Sequence, residues 1–216
     1  MAVKLKKGQG VSLRKDVYDL SQVTIGLGWD IAEEKSSGFL GGLFGNKQTE
    51  DYDLDVVAFL CAADGKVKNL GSVENGHPNL KNGDVVFFNS LRHPSGYIHL
   101  TGDNRTGEGD GDDEQIIANL SALPEQYKKI AFIVQIYQGI DRKQHFGKVK
   151  NAFIHAVDGK GREMASFDLS GDATYAPHHS MIFAELERES TGWKFQAIGI
   201  PFETDTFVHI LRDRYL

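Results

Sequence analysis

The most constraining feature of this sequence is a series of short apolar segments whose side-chain pattern repeats every two residues. In Val23–Trp29 apolar residues alternate with threonine and glycine, which is typical of a strand with one buried face. The run Leu54–Ala63 is apolar on both faces apart from Asp55, as expected for a strand inside a sandwich. Further segments of strand character are Val85–Phe88, Tyr97–Leu100, Ile130–Tyr137, Phe153–Val157, Met164–Leu169, Met181–Leu186 and Trp193–Ile198. The sequence therefore predicts an all-β (mainly) fold, a two-sheet β-sandwich.

One pair of these segments is expected to form a hairpin. Val85–Phe88 and Tyr97–Leu100 lie on either side of Pro94-Ser95-Gly96, which are residues typical of turns. The pattern therefore predicts that the two strands pair directly with each other.

Short helices are expected at two places, one of them at the C-terminus. In Thr204–Tyr215 the residues Phe207, Ile210 and Leu211 fall on one face at helical spacing. The second segment, Ala122–Lys129, carries a proline near its start, where a helix tolerates it.

Composition excludes several classes of protein. A formal net charge of -6 disfavours a nucleic-acid partner, which needs a basic face to displace counterions. Because the chain has one cysteine, Cys61, it forms no internal disulfide, and a reducing compartment is expected. The first residues lack the apolar stretch of a secretory signal, and no run is long enough to span a membrane. We therefore expect a cytoplasmic protein, or one bound peripherally at the inner membrane.

The most informative polar segment is the acidic, glycine-rich stretch Thr101–Glu114. Carboxylates held this close repel one another, so a folded loop that gathers them needs a compensating cation. Calcium fits, since it accepts six to eight oxygen ligands in flexible geometry, although magnesium stays open. The EF-hand pattern fits only at its ends, Asp103 and Glu114, and fails at the middle positions. The alternatives are a different oxygen-rich site or a solvated loop partly neutralised by Arg105.

A second acidic group stands at the start of the strand that begins at Leu54. Asp53 and Asp55 are two residues apart, so in a strand their side chains share one side. Asp30 follows Trp29 at the end of another strand, and Asn89 follows the Val85–Phe88 segment. Two acidic groups at strand ends favour a cation site over a solvated surface.

One segment differs from the rest in composition. Ser36–Asn46 is rich in glycine, yet it carries phenylalanine and leucine side chains. It is either a loop insertion or a contact site for a partner, because exposed apolar side chains commonly mark interaction sites.

Several of these segments together resemble the TerD family of bacterial tellurium-resistance and stress proteins. The matching segments, in chain order, are Lys6-Lys7-Gly8, Val11-Ser12-Leu13, Val23–Asp30, Asp53-Leu54-Asp55, Val86–Asn89, Thr101–Glu114, Phe146–Phe153 and Trp193-Lys194-Phe195. They cover the chain from about Val3 to Gly199. The resemblance implies one TerD-like β-sandwich domain over residues 1–216, with an insertion at about 36–50 and a divergent tail at about 200–216.

The resemblance also implies a function and a ligand set. The function implied is a calcium-binding module of a tellurite-resistance and stress-response system. The resemblance also implies assembly with other proteins of that system near the membrane. The implied site holds Ca²⁺, more than one ion, and its candidate ligands are Asp30, Asp53, Asp55, Asn89, Asp103, Asn104, Asp110, Asp112, Asp113 and Glu114.

Two alternatives to a non-catalytic module stay open on the sequence. One is an enzyme that transforms a tellurium oxyanion, which by thiol chemistry needs an accessible thiolate. Cys61, however, lies in an apolar strand, and the sequence lacks a nucleophile elbow and a P-loop lysine. The other alternative is a small-ligand protein that binds a nucleotide or phosphate through the acidic metal site.

Overall fold

The fold is built from two six-stranded sheets that pack face to face. The structure is a computed structural model that describes residues 2–31, 52–101, 112–169 and 173–216. Its strands, in chain order, are β1 (Val3–Leu5), β2 (Gly10–Arg14), β3 (Val23–Ile31), β4 (Leu54–Cys61), β5 (Val73–Glu74), β6 (His77–Pro78), β7 (Val85–Val86), β8 (Ile98–Leu100), β9 (Glu114–Ala118), β10 (Lys129–Ile136), β11 (Val149–Val157), β12 (Glu163–Asp168), β13 (Ser180–Glu189) and β14 (Gly192–Phe202). One α-helix follows, α1 (Phe207–Tyr215), and short 3-10 turns cover Phe146–Lys148 and Ala173–Tyr175.

The two sheets differ in their edges but share an antiparallel interior. The first sheet has the order β1-β12-β11-β3-β9-β8, and only its β1–β12 pair is parallel. The second sheet has the order β2-β14-β13-β10-β4-β7. Strands β5 and β6 form a separate small hairpin. The predicted two-sheet β-sandwich is confirmed.

Apart from Asp55, strand β4 is apolar because both of its faces are covered. Leu54, Val56, Ala58 and Leu60 belong to the main core between the sheets. The alternate residues Val57, Phe59 and Cys61 belong to a second core on the outer face of the second sheet.

Helix α1 covers that second core. Its residues Phe207, Ile210, Leu211 and Tyr215 are buried, which confirms the predicted terminal helix and its apolar face. Thr206 caps the helix, since its Oγ1 accepts the N–H of Val208 at 3.4 Å.

Two local predictions were wrong. The predicted hairpin does not form, because β7 pairs with β4 in the second sheet whereas β8 pairs with β9 in the first. The Pro94-Ser95-Gly96 turn instead joins the bridged residues Arg92 and His99. The neighbouring strands β7 and β8 therefore lie in different sheets, because each pairs with a longer strand that is distant in sequence.

The predicted helix over Ala122–Lys129 is also absent, and the segment consists of turns followed by the start of β10. Asn119 Oδ1 accepts the N–H of Ala122 at 3.0 Å, which favours a turn over a helix. Lys128 then donates its N–H to the carbonyl of Cys61, so tertiary pairing takes the place of helical hydrogen bonds.

Candidate functional site

The acidic strand ends meet at one end of the sandwich. The second half of β3 lies beside the start of β9, where Leu27 pairs with Glu114. In the second sheet β10 ends where β4 begins. The two sheets are joined at this end by a hydrogen bond from the N–H of Val56 in β4 to Glu114 Oε2 in β9, at 2.5 Å. The described carboxylates of both acidic groups therefore belong to one end of the molecule.

Glu114 is the carboxylate that lies between the sheets. It is 1% exposed, and the neighbouring core residues of β4 surround its bond to Val56. A buried carboxylate is costly unless hydrogen bonds or a cation compensate its charge. The bond to the N–H of Val56 supplies part of that compensation and ties the two sheets together.

Asp113 is held at the rim of the first sheet. Its Oδ2 accepts the N–H of Trp29 at 2.9 Å, and its own N–H donates to the carbonyl of Leu27. Burial raises the pKa of Asp113, the bond from Trp29 opposes that rise, and the charges of Asp30 and Asp112 add to it. These carboxylates are therefore close enough to repel one another, as a site for a cation requires.

Asp112 takes a different environment, on the outer face of the first sheet. Its Oδ1 lies 2.8 Å from Nε2 of His155, and its Oδ2 accepts from the amide of Gln115 at 3.1 Å. The bond to Asp112 raises the pKa of His155, against the effect of burial. A cation at Asp112 would thus compete with a histidine for the same oxygen.

A glycine makes room for this arrangement. A Cβ built on Gly26 would stand 2.1 Å from Asp112 Oδ2, far closer than two such atoms can approach. Gly26 in β3 therefore allows the Asp112 carboxylate to lie directly against the sheet.

Asp55 and Asp53 approach from the second sheet. Asp55 is 5% exposed, and its Oδ2 accepts from the amide of Gln135 at 2.9 Å. Asp53 is half-buried just before β4, where its carbonyl accepts the N–H of Tyr137. Strand alternation places Asp55 on the same side as Val57, toward the outer face of the second sheet.

The remaining candidates lie at the periphery or outside the described residues. Asp30 is exposed at the end of β3, and its Oδ2 accepts from the amide of Asn151 at 2.5 Å. Asn89 is exposed in the turn between the bridged residues Phe87 and Ser90. The candidates Asp103, Asn104 and Asp110, and the Ser36–Asn46 insertion, lie outside the described residues.

The donor chemistry fits a hard cation, but the described part of the chain does not complete a site. Its buried carboxylates Asp55, Asp113 and Glu114 are the oxygen ligands that calcium prefers. Within residues 2–31, 52–101, 112–169 and 173–216 no three His, Cys, Asp or Glu side chains converge as a ligand cluster. The predicted ligand set therefore stays a prediction.

The family of the chain follows from comparison with known proteins. The family model described as TerD domain matches residues 1–213. The chain belongs to the TerD family. The match confirms the predicted resemblance and extends beyond Gly199 into helix α1.

Relatives of this TerD-family chain are similar along almost all of their length. It is 67% identical over 213 residues to tellurium resistance protein TerX of Serratia marcescens, covering 99% of each chain. It is 36% identical over 217 residues to stress response protein SCP2 of Bacillus subtilis (strain 168), covering 100% of each. A solved Streptomyces coelicolor A3(2) structure, titled a homologue of telluride resistance protein (TerD), superposes with a TM-score of 0.59 at 24% identity, covering 87% of this chain and 94% of that one. That last likeness shows the shared fold.

Sequence reasoning missed the side chains that hydrogen-bond or ion-pair with the acidic residues. Gln135, His155 and Asn151 each hydrogen-bond or ion-pair with a predicted ligand of this TerD-family chain. Gln135 carried a signal, since it is a polar residue that follows the apolar run Ile130–Val134 in the same predicted strand. The other two lie on the outer face of the first sheet, where polar residues are unremarkable.

None of the helices in the described residues is both long enough and apolar enough to cross a bilayer.

Cys61 should be chemically inert in the folded protein. Its side chain is fully buried beneath α1, and burial raises the pKa of the thiol to about 12. Since the thiolate is the nucleophile, we expect no labelling by iodoacetamide at about pH 8 until the protein is unfolded in guanidinium. Mass spectrometry of the folded and unfolded samples makes the measurement. Rapid labelling of the folded protein would restore thiol chemistry as a candidate activity.

Proposed function

We propose that this TerD-family protein binds calcium at the acidic end of its sandwich and acts in a tellurite-resistance and stress-response system. The observation that carries the proposal is the burial of Asp55, Asp113 and Glu114 at one end of the two sheets. Burial raises the pKa of Asp113 and the charges of Asp30 and Asp112 add to that rise, and a carboxylate held among like charges in this way favours a bound cation. The tellurium-resistance and stress-response names of the relatives support the physiological setting.

Each described carboxylate has a distinct part in this proposal. Glu114 and Asp113 offer oxygens from the first sheet, and Asp53 and Asp55 offer oxygens from the second. A bound calcium ion supplies positive charge that offsets their repulsion. Residues from the acidic loop Thr101–Glu114 would complete the coordination, in keeping with the six to eight ligands that calcium takes.

Binding of this kind suits a protein that acts by contact rather than by catalysis. An ion that binds the ordered form of the strand ends stabilises that form. Calcium then controls the surface presented to other proteins of the resistance system, at the inner membrane or in the cytoplasm. The burial of Cys61 supports this view over thiol-based reduction of a tellurium oxyanion.

Calorimetry of the chelator-treated protein tests the proposal. We expect saturable calcium binding, weaker or absent with magnesium, and a loss of affinity of about tenfold or more in Asp53→Ala. Asp64→Ala is the matched control, since Asp64 pairs with Lys68 at the opposite end of β4 and should leave the affinity unchanged. At a hundred times the dissociation constant, calcium should stabilise the fold by about 2.7 kcal/mol.

The same stabilisation is visible on heating. For a chain of this size that gain corresponds to a melting temperature about 5–10 °C higher in calcium than in chelator. An unchanged melting curve together with a silent calorimeter would refute the proposal, and the buried carboxylates would then act only as hydrogen-bond acceptors.

A further inference from the structure

Gln135 is a buried polar residue that joins the acidic end of the sandwich to helix α1. It is 4% exposed and lies in β10 directly opposite Asp55 of β4. Its Nε2 donates to Asp55 Oδ2 at 2.9 Å, and its Oε1 accepts the N–H of Phe207 at 2.7 Å. One side chain thus contacts both a candidate calcium ligand and the first residue of α1.

The direction of this link is determined by chemistry. A carboxylate can only accept, so the amide must turn its NH₂ group toward Asp55 and its oxygen toward the helix. The N–H of Phe207 belongs to the first turn of α1, where backbone N–H groups have no partner inside the helix. Gln135 is therefore the partner of a buried helical N–H, and its position depends on that of Asp55.

We infer that Gln135 is a positioning residue that couples calcium binding at Asp55 to the N-terminus of α1. The inference rests on the proposed calcium site. The Asp55 carboxylate is buried on the same side of the chain as Asp53, and like charges so placed repel one another unless a cation offsets them. A bound ion fixes the carboxylate, which fixes the amide of Gln135 and, through it, the N–H of Phe207.

The coupling reaches a cavity on the outer face of the second sheet. Gln135 and Phe207 line this cavity of about 680 Å³ together with Phe87, Phe88 and Tyr137. Because α1 forms one of its walls, a change at the helix N-terminus alters the cavity as well. Calcium binding at the end of the sandwich in this way affects the shape of the cavity beside α1 on the outer face of the second sheet.

Hydrogen exchange of the C-terminal peptide 203–216 tests the coupling. In the wild-type protein, calcium should slow exchange of the first-turn amides of α1 relative to chelator by about 5–150-fold, the usual range for coupled sites. Gln135→Met has a similar volume but makes neither hydrogen bond, so it should abolish the calcium dependence. Gln135→Glu keeps an acceptor for Phe207 but loses the donor to Asp55, and it should abolish the dependence too.

The matched control loosens α1 at its other end. Tyr215→Phe removes the 3.0 Å hydrogen bond from the Tyr215 hydroxyl to Glu185 Oε1, which lies at the opposite end of α1 from the bond between Phe207 and Gln135. Exchange should become faster in this variant with and without calcium, while the calcium dependence remains.

Calorimetry on the same samples separates the possible failures. Calcium binding without any change in α1 exchange would overturn the coupling and leave the proposed function intact. A calcium dependence that survives in either folded Gln135 variant would also overturn it. Absence of calcium binding in the wild-type protein would overturn both proposals. If neither variant folds, the wild-type comparison alone decides.

Discussion

Replacing Asp84 with alanine should lower the free energy of unfolding by about 3–5 kcal/mol, the cost of removing one partner from a buried polar network. The side chain is 6% exposed, at the end of the sandwich opposite the acidic site. Its Oδ1 accepts from the hydroxyl of Tyr127 at 2.8 Å and faces His93 Nε2 at 3.3 Å, while Oδ2 accepts the N–H of Asn69 at 2.9 Å. The substitution leaves three donors without their acceptor, and two of them belong to the buried side chains of His93 and Tyr127.

Urea denaturation followed by circular dichroism measures the loss. Asp64→Ala is the control, because the Asp64–Lys68 pair is more than half exposed and such pairs contribute at most about 1 kcal/mol. Equal midpoints for the wild-type protein and Asp84→Ala would show that the network does not stabilise the fold.

The contribution of Asp84 should also depend on pH. Burial alone would raise the pKa of Asp84, but the hydrogen bonds from His93, Tyr127 and Asn69 outweigh burial and lower it. A carboxyl whose pKa is lower in the folded state stabilises fully above the unfolded value of about 4 and loses its contribution as the pH falls below it. The difference in unfolding free energy between the wild-type protein and Asp84→Ala should therefore shrink between about pH 6 and about pH 2.

Two substitutions of Glu114 should separate its structural role from its proposed role in calcium binding. Glu114→Ala removes the acceptor for the N–H of Val56 and leaves a cavity between the sheets. We expect a loss of about 2–4 kcal/mol from the unpaired buried N–H and the lost packing together. Glu114→Gln keeps a carbonyl oxygen for Val56 at nearly the same volume, so the calcium-free protein should stay close to wild-type stability.

Calcium affinity should respond to both Glu114 variants. Because glutamine lacks the negative charge, Glu114→Gln should weaken calcium binding by about a hundredfold, corresponding to about 2.7 kcal/mol. Urea denaturation in chelator and calorimetry with calcium measure the two effects. Wild-type affinity in a folded Glu114→Gln protein would remove Glu114 from the ligand set and leave it as a link between the sheets.

Most of the strands could be predicted from the sequence, because burial of alternate side chains is a local pattern. The alternation over Val23–Trp29 and the mainly apolar run from Leu54 correspond to β3 and β4, which each have a neighbouring strand on both sides. The spacing of Phe207, Ile210 and Leu211 likewise predicted α1. In each case the side chains that show the period are the ones that the fold buries.

Pairing was less predictable, because it depends on partners that are distant in sequence. The sequence predicted that Val85–Phe88 and Tyr97–Leu100 are the two arms of a hairpin, yet their strands β7 and β8 pair with β4 and β9 in different sheets. The segment Ala122–Lys129 had a composition that permits a helix, but pairing with Cys61 and bonding to Asn119 turned it into a connection.

The acidic site, too, could be predicted only in part from the sequence. By itself the sequence determined that carboxylates stand where strands end, at Asp30, Asp53, Asp55 and the residues up to Glu114, because those positions follow from the strand pattern. Only the tertiary structure decided the partner of each carboxylate. Glu114 lies between the sheets and accepts the N–H of Val56, Asp112 lies on the outer face beside His155, and Asp55 accepts from Gln135. The physical reason is that a side chain's direction depends on the face of its strand, whereas its partner comes from another strand that only folding brings beside it.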